Sequence, residues 1–374
     1  MKSPNRLSRL PKRTRRLRVG FLPENDCAAV VAAQELGFFS DQGLNVELSR
    51  ESSCASLRDK LIHGELDAAH APATLPFVLS LGLDFEQSAC VSGLILSLQG
   101  NAITISRTLW KQGVHDADAL RTRICRDWGK RTFTFGVVFP YAPSYFLLCD
   151  WLRSSGVIPH SHVRIVVVPP EQMFPMLELG YLDGFCVGEP WTSVAEDSGV
   201  GVCLATSVQL APLHPEKALI VRREFAERRA ETHERLIAAL LAATAHCEDC
   251  GHLEALCEIL AKPQFVNAPV ECLQPGLIGP FIARGGQRES LFGLNVLREY
   301  HANIPSSEKA AWITGRLCNF LKPGEPHAFP APHYDDIFRP DIFRRAERRV
   351  KKLNLPVAEE LPITPLAEPR CLTA

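Results

Sequence analysis

Short apolar runs alternate with helical patterns through the first two thirds of the chain, and this alternation limits the fold to a layered α/β architecture. Each run has the length and the bounding turn residues of a buried strand. The predicted strands cover residues 17–22, 44–48, 66–69, 89–97, 102–106, 132–138, 163–168, 182–187, 201–204 and 218–221.

Helical patterns separate these strands and then dominate the last third of the chain. Serines and prolines mark several helix starts, and glycines mark several ends. The predicted helices cover residues 26–36, 53–62, 144–155, 171–179, 231–246, 252–260, 307–320 and about 340–353, with two more opening at Pro72 and Pro190.

The strand–helix pattern falls into two blocks, and the chain passes between them near residues 104–108 and 206–215. This arrangement predicts an α/β protein of two doubly wound lobes joined by a two-stranded hinge, with a ligand in the crevice between them. The predicted units are lobe 1 (17–105 plus 209–350, including a helical C-terminal extension), lobe 2 (106–208), a basic disordered arm (1–16) and a Pro-rich tail (351–374).

Composition excludes several classes of function. A net charge of −1 argues against broad nucleic-acid binding by the body of the protein. We interpret the basic arm as a solvated tail, with contact to nucleic acid or an acidic partner as the alternative. No window approaches the roughly 18 uninterrupted apolar residues of a membrane span.

Cysteine usage and the first residues predict a cytoplasmic protein. The 13 cysteines are odd in number, and several, such as Cys186 and Cys203, lie inside apolar runs. The basic arm is followed by too short an apolar run for a secretory signal. A true start further upstream would instead make the protein periplasmic.

Motifs for catalysis are missing, so the sequence predicts neither an enzyme nor a cofactor. It has no nucleophile elbow, no phosphate-binding loop and no HExxH motif. Cys247 and Cys250 form a CxxC motif flanked by His246 and His252. Taken alone, this motif suggests a zinc site or a redox pair as an alternative function. A second CxxC at a suitable distance is missing, so we assign no metal ligand.

A series of short motifs, in order, resembles a known family. They are Val-Gly-Phe-Leu-Pro at 19–23, Leu-Gly-Phe-Phe at 36–39, Gly-Leu-Asn-Val-Glu at 43–47, Leu-Arg-Asp-Lys-Leu at 57–61, Leu-Asp-Ala-Ala-His at 66–70, Gly-Asn-Ala-Ile-Thr at 100–104, Asp-Gly-Phe-Cys-Val-Gly-Glu-Pro-Trp at 183–191, Val-Asn-Ala-Pro at 266–269 and Phe-Arg-Pro-Asp at 338–341. Together they resemble the nitrate/bicarbonate-binding proteins of ABC importers, which have the type-II periplasmic-binding-protein fold.

The resemblance is stronger still to cytoplasmic nitrate/nitrite sensors, which implies a small anion as ligand and an RNA-binding antiterminator as partner. The alternative is the solute-binding component of an ABC importer, with a permease as partner. Thiamine-pyrimidine-synthesis enzymes share the lobe architecture and are a less favoured third interpretation.

The resemblance also implies a ligand site formed by Cys54, Asn101, Ser144, Gly188 and Lys217. Lys217 would supply the positive charge, Asn101 and Ser144 neutral donors, and Gly188 a close approach of the backbone. The family commonly has Trp at the position of Cys54 and His at that of Ser144. These smaller side chains predict a wider pocket, and hence a ligand bulkier than nitrate or weak nitrate binding.

Each of these positions has a simpler interpretation. Lys217 would be a surface lysine, Asn101 a turn residue, Ser144 the N-cap of its helix and Cys54 a small neutral wall residue or a thiol of lowered pKa. In the same segment as Gly188, we expect Glu189 and Trp191 to serve in helix capping and lobe packing.

Overall fold

The computed structural model describes residues 15–83, 86–277, 294–318 and 336–352, so most of the predicted arm and tail lies outside it. Its strands are β1 (Leu17–Phe21), β2 (Val46–Arg50), β3 (Ala68–Pro72), β4 (Cys90–Gln99), β5 (Asn101–Ser106), β6 (Phe133–Val137), β7 (Val163–Val167), β8 (Gly184–Gly188), β9 (Gly201–Thr206), β10 (Pro215–Arg222) and β11 (Asn295–Val296).

Helices fill the connections and most of the C-terminal third. They are α1 (Ala28–Glu35), α2 (Phe38–Asp41), α3 (Cys54–Ile62), α4 (Leu75–Leu81), α5 (Arg107–Lys111), α6 (Ala117–Arg126), α7 (Pro143–Ser154), α8 (Met173–Glu178), α9 (Trp191–Asp197), α10 (Ser207–Leu210), α11 (Arg223–Arg228), α12 (Ala230–Cys247), α13 (Leu253–Leu260), α14 (Val270–Leu277), α15 (Ser307–Cys318) and α16 (Pro340–Lys352).

The strands form two sheets, which confirms the two-lobed α/β prediction. The first sheet has the order β11-β4-β10-β3-β1-β2 and the second β7-β6-β8-β5-β9. Within the first, β1 runs parallel to β2 and β3, whereas β10 is antiparallel to β3 and β4. The core strands β3, β4 and β8 are buried along their whole length, as expected for sheets covered on both faces.

The chain crosses between the sheets twice, as predicted, but the first border was placed too late. Strand β5 pairs with β8 and β9 of the second sheet, so lobe 2 begins at Asn101 and not at residue 106. Gly100 makes this early crossing feasible, because its φ of +101° suits glycine and a Cβ there would lie 2.2 Å from Asn295 Oδ1. Ser207 Oγ, at the second crossing, accepts hydrogen bonds from the amides of Gly100 and Asn101.

The starts of two lobe 1 helices test the predictions made from the sequence. Ser53 caps α3 by accepting a hydrogen bond from the amide of Ser56 at 3.1 Å, as the sequence predicted. The prediction that a helix opens at Pro72 was wrong. Pro72 is instead the last residue of β3, opposite Lys217 of β10, and α4 begins three residues later. Proline is tolerated at this end of the strand, and the next amide, that of Ala73, continues the contact with β10 by donating to the carbonyl of Glu216 at 2.9 Å.

The C-terminal segment completes lobe 1. Helix α16 confirms the prediction for residues 340–353, and it packs against α12 and β4. Just before it, the amide of Arg339 donates to the carbonyl of Ser92, and the Phe338 ring meets Phe77 edge-on with centroids 4.9 Å apart. Within the described ranges, none of the helices combines the length and the apolarity needed to cross a membrane.

We expect Phe338→Ala to lower the free energy of unfolding by about 3–5 kcal/mol, because it leaves a cavity against Phe77 in the lobe 1 core. Chemical denaturation measures the change. Tyr181→Ala is the control, since Tyr181 is 66% exposed and its loss is expected to change stability by less than about 0.5 kcal/mol. Equal effects of the two substitutions would contradict the assignment of Phe338 to the core.

Candidate ligand site between the lobes

Lys217 lies at the junction of the two lobes and is completely buried. It belongs to β10, and its side chain is 0% exposed, so the interpretation as a surface lysine was wrong. A buried ammonium group is stable only with charged or strongly polar partners, because burial removes its hydration. The partners of Lys217 therefore define the site.

Three carboxylates surround the Lys217 ammonium group. Its Nζ lies 2.9 Å from Asp26 Oδ2, 3.0 Å from Glu216 Oε1 and 3.2 Å from Glu24 Oε2. Burial alone lowers the pKa of Lys217, but the three carboxylates outweigh it and hold that pKa well above its usual value. Lys217 is thus a permanent cation that donates a hydrogen bond to Glu216 and forms ion pairs with Asp26 and Glu24.

These carboxylates come from two parts of lobe 1. Glu24 and Asp26 lie in the turn that follows the carboxyl end of β1, and Glu216 precedes Lys217 on β10. Each of the three is at most 2% exposed. Carboxyl ends of strands are where α/β folds place their ligands, so the cluster occupies the position expected for a binding site.

Two buried histidines support the outer side of this cluster. His70 Nε2 lies 3.3 Å from Asp26 Oδ1 and 3.1 Å from the carbonyl oxygen of Asp26. His214 Nε2 lies 3.1 Å from Glu216 Oε2, and its ring stacks on Trp312. Both imidazoles are 0% exposed, so they hold the carboxylates in place without access to solvent.

The net pKa shifts of Glu24 and Asp26 have opposite signs, although Lys217 lowers the pKa of both. Burial raises the pKa of Glu24 to about 7, with Asp26 and Glu216 adding to the effect and Lys217 opposing it. For Asp26, burial acts in the same direction, but Lys217 and His70 outweigh it and hold the pKa of Asp26 below its usual range. Asp26 is therefore the constant counter-ion, and Glu24 is the carboxyl that can take up a proton near neutral pH.

The turn that carries Glu24 also contacts lobe 2. The amide of Gly188 donates to Glu24 Oε1 at 3.1 Å, and the amide of Asn25 donates to the carbonyl of Glu189 at 2.7 Å. Trp191 Nε1 donates to the carbonyl of Pro23 at 3.0 Å, which gives this indole the packing role expected of it. Residues 23–25 thus form the principal polar contact between the lobes around Lys217.

A second contact between the lobes lies at the edge of the crevice. Arg50, the last residue of β2, forms an ion pair with Glu171, which precedes α8 in lobe 2. The same guanidinium donates through Nε to the carbonyl of Phe265 at 2.6 Å. Arg50 therefore links β2, lobe 2 and the C-terminal part of lobe 1.

Four of the five predicted site residues gather around this cluster. Gly188 contacts Glu24, and Asn101 Nδ2 donates to Glu216 Oε2. Cys54 is the first residue of α3 and lies close enough for Glu24 and Lys217 to influence its thiol electrostatically. Burial raises the pKa of this thiol above its usual range, which is the opposite of the lowered pKa of a reactive thiolate.

Ser144 stands apart from the other four. It is fully buried in the first turn of α7, but Ala142 is the N-cap, so the N-cap interpretation of Ser144 was wrong. Its Oγ has no hydrogen-bond partner among the described residues. Helix α7 follows the carboxyl end of β6, on the ligand-binding side of the second sheet. Ser144 therefore provides an unused donor in lobe 2.

Glu189 has the capping role expected of it. Its Oε2 accepts hydrogen bonds from the amide of Ser193 at 3.2 Å and from Ser193 Oγ at 2.7 Å, in the first turn of α9. Burial nevertheless raises the pKa of Glu189 to about 8. A second buried carboxyl thus titrates near neutral pH.

The CxxC segment gives no metal site within the described residues. Cys247 is buried in the last turn of α12, the rings of His246 and His252 stack 3.9 Å apart, and the side chain of Cys250 lies outside the described set. No group of three or more metal-ligating side chains occurs in the part of the chain that the structure describes.

Sequence reasoning missed the residues that dominate the site: Glu24, Asp26, His70, His214 and Glu216. A usable signal was present in Glu24 and Asp26, two acidic residues placed directly after an apolar strand. Because Lys217 is almost two hundred positions away, only the antiparallel pairing of β10 with β3 brings it beside them.

Comparison with known proteins agrees with this architecture. A model of the NMT1-like family matches residues 11–261. The solved structure of the periplasmic nitrate-binding protein NrtA from Synechocystis superposes with a TM-score of 0.83 and 24% identity, covering 92% of this chain and 91% of that one. The likeness to NrtA confirms the predicted periplasmic-binding-protein fold.

Two relatives are transport proteins of Synechocystis. The nitrate import ATP-binding protein NrtC is 33% identical over 337 residues, which cover 89% of this chain and 50% of NrtC. The bicarbonate transport ATP-binding protein CmpC is 38% identical over 262 residues, or 70% of this chain and 39% of CmpC. The chain thus spans half or less of the length of these relatives. The nitrate/nitrite binding protein NrtA of Synechococcus elongatus is 30% identical over 272 residues, or 70% of this chain and 61% of that protein, so the relatives include a solute-binding protein, in agreement with the prediction from the sequence.

We expect Lys217→Met to lower the free energy of unfolding at pH 8 by about 3–5 kcal/mol, because three buried carboxylates lose their cation. The loss should be smaller at pH 5, where Glu24 is protonated. Urea denaturation at both values tests this. Lys60→Met is the control, since Lys60 is 39% exposed and pairs with a single carboxylate, Glu51, in the part of the chain that the structure describes. A cost independent of pH would contradict the shared site.

The raised pKa values of Glu24 and Glu189 predict that stability falls between pH 5 and pH 8. The folded protein holds these protons after the unfolded chain has released them, so each group reduces the unfolding free energy by up to about 1.4 kcal/mol per pH unit. Glu189→Gln should make this slope shallower in denaturation measured across the range. The same substitution at the exposed Glu254 controls for the loss of a charge. An unchanged slope would show that Glu189 is ionised throughout.

Proposed function

The chain belongs to the NMT1-like family, and from this we propose that it binds a small oxyanion between its two lobes without transforming it. The observation that carries the proposal is Lys217, a fully buried cation where the lobes meet. The solved NrtA, which has the same fold, is named as a nitrate-binding protein.

The surrounding groups have the chemistry that an oxyanion needs. Each lobe has polar hydrogens between the lobes. The Lys217 ammonium of lobe 1 and the Gly188 amide of lobe 2 are in contact with Glu24, and the Ser144 hydroxyl of lobe 2 has no partner among the described residues. Asn101 adds a side-chain amide at the first crossing of the chain. Donors from both lobes favour a closed arrangement around a bound anion, which is how binding is coupled to lobe movement.

The relatives favour a role in transport. NrtC is named for nitrate import and CmpC for bicarbonate transport, so we propose that this chain delivers its anion to an ABC importer. The cytoplasmic sensor predicted from the sequence uses the same anion site but a different partner, an RNA-binding antiterminator. The two roles differ in what the anion-loaded surface contacts.

We expect Ser144→Ala to weaken oxyanion binding by a few-fold to about tenfold, because one neutral hydrogen bond to the ligand is lost. Calorimetric titration with nitrate, nitrite, bicarbonate and methanesulfonate measures the affinities. Ser155→Ala is a matched control, since Ser155 closes the same helix and donates to the carbonyl of Leu152. Equal affinities of the two variants would remove Ser144 from the site.

Affinity capture with the full chain distinguishes the two roles. The expected result is capture of permease or ATPase subunits that depends on the bound anion. Capture of an RNA-binding antiterminator that is released when the anion is added would overturn the transport role and establish the sensor. Purified protein that converts an anion to another product would contradict both.

A further inference from the structure

Glu24 stands where a ligand would be expected. It lies in the turn between β1 and α1, in extended conformation, at the carboxyl end of the strand. Its side chain is 1% exposed and points between the lobes. The chain therefore carries an anion of its own in the crevice.

One carboxylate makes the contacts that an external oxyanion would make. Glu24 Oε1 accepts from the Gly188 amide of lobe 2 at 3.1 Å, and Glu24 Oε2 lies 3.2 Å from the Lys217 ammonium of lobe 1. A planar oxyanion bridging the lobes would use these two donors in the same way. Glu24 and such a ligand cannot both occupy them.

Gly188 makes this close approach feasible. A Cβ at that position would lie 2.6 Å from Glu24 Oε1 and 3.2 Å from its Cδ. Such a contact would push the carboxylate away. Gly188 was expected to let the backbone approach a ligand closely. In this structure its backbone approaches Glu24 instead.

Lys217 offers no net positive charge to a further anion. Its ammonium group already lies within 3.2 Å of carboxylate oxygens of Glu24, Asp26 and Glu216. With all three carboxylates ionised, the cluster carries a net charge of −2 around a single ammonium group. An incoming anion would therefore be repelled until one negative charge is removed.

Of the three carboxylates, Glu24 is the one that can give way. Asp26 is also held by His70, and Glu216 by His214 and Asn101, whereas among the described residues the Glu24 carboxylate contacts only Lys217 and the Gly188 amide. Asp26 and Glu216 also act on Glu24 electrostatically, and both add to the rise in its pKa. Glu24 in turn raises the pKa of the buried thiols of Cys27 and Cys54.

We propose that Glu24 is the specificity-determining residue of the crevice, an internal carboxylate that an oxyanion displaces only when Glu24 is protonated. This inference rests on the proposed anion binding. It predicts that binding takes up one proton and that the pH of the surroundings sets the apparent affinity. The raised pKa of Glu24 places this dependence near pH 7.

The experiment titrates the full chain with nitrate, whose charge is the same at pH 6 and pH 8. For wild type we expect about tenfold tighter binding at pH 6, because the competent, protonated fraction of Glu24 falls by about that factor between the two values. Glu24→Gln and Glu24→Ala should bind nitrate with equal affinity at both pH values, and more tightly than wild type at pH 8.

Glu51→Gln is the matched control, because Glu51 is equally buried and pairs with Lys60 and Ser56, away from Lys217. It should retain the pH dependence of wild type. The pH dependence of wild type is itself a test that requires no variant. Methanesulfonate, also an anion of constant charge, repeats the titration with a larger ligand.

The outcomes separate this proposal from the proposed function. Nitrate or methanesulfonate binding that is independent of pH in wild type and unchanged by Glu24→Gln would overturn the role of Glu24 and leave anion binding intact. Failure of every folded variant to bind either anion at both pH values would overturn anion binding itself.

Discussion

A single buried ammonium group organises the centre of this protein. Lys217 is out of contact with water, so its charge must be balanced by protein groups, and three carboxylates supply that balance. Two of them come from the turn after β1 and one from β10 itself. The cluster therefore fixes the turn against the strand, and the same turn carries the contacts to lobe 2.

This arrangement differs from a simple cationic pocket. One cation alone would attract any small anion, and its selectivity would come from shape. Here the lysine is already neutralised, so selectivity depends on the difference between the internal carboxylate and the external ligand. The free energy that a ligand gains at Lys217 and Gly188 is only the difference between its own interactions with these groups and those that Glu24 already makes. Affinity is therefore set by the protonation of Glu24 and by the fit of the ligand to Asn101 and Ser144.

The architecture was largely predictable from the sequence, because strand–helix alternation and buried apolar runs report local structure directly. The errors fall where tertiary context decides. Pro72 resembles a helix start but ends β3, and Gly100 moves the lobe border by allowing a sharp crossing. Lys217 was found through resemblance to a family. Glu24 and Asp26 were missed because carboxylates are not expected beside an anion site, and because no local pattern indicates that β10 passes them.

The position of Glu24 also bears on how the lobes move. Its carboxylate links the lobes by contacting Lys217 in lobe 1 and the Gly188 amide in lobe 2. Moving Glu24 away breaks this link, and a bound anion restores it. A ligand that merely replaced this bond would leave the balance between open and closed lobes unchanged, since only differential affinity shifts such an equilibrium. Closure driven by the ligand must therefore come from groups that Glu24 does not use. Ser144 is such a group, because its hydroxyl lies in lobe 2 and has no partner among the described residues.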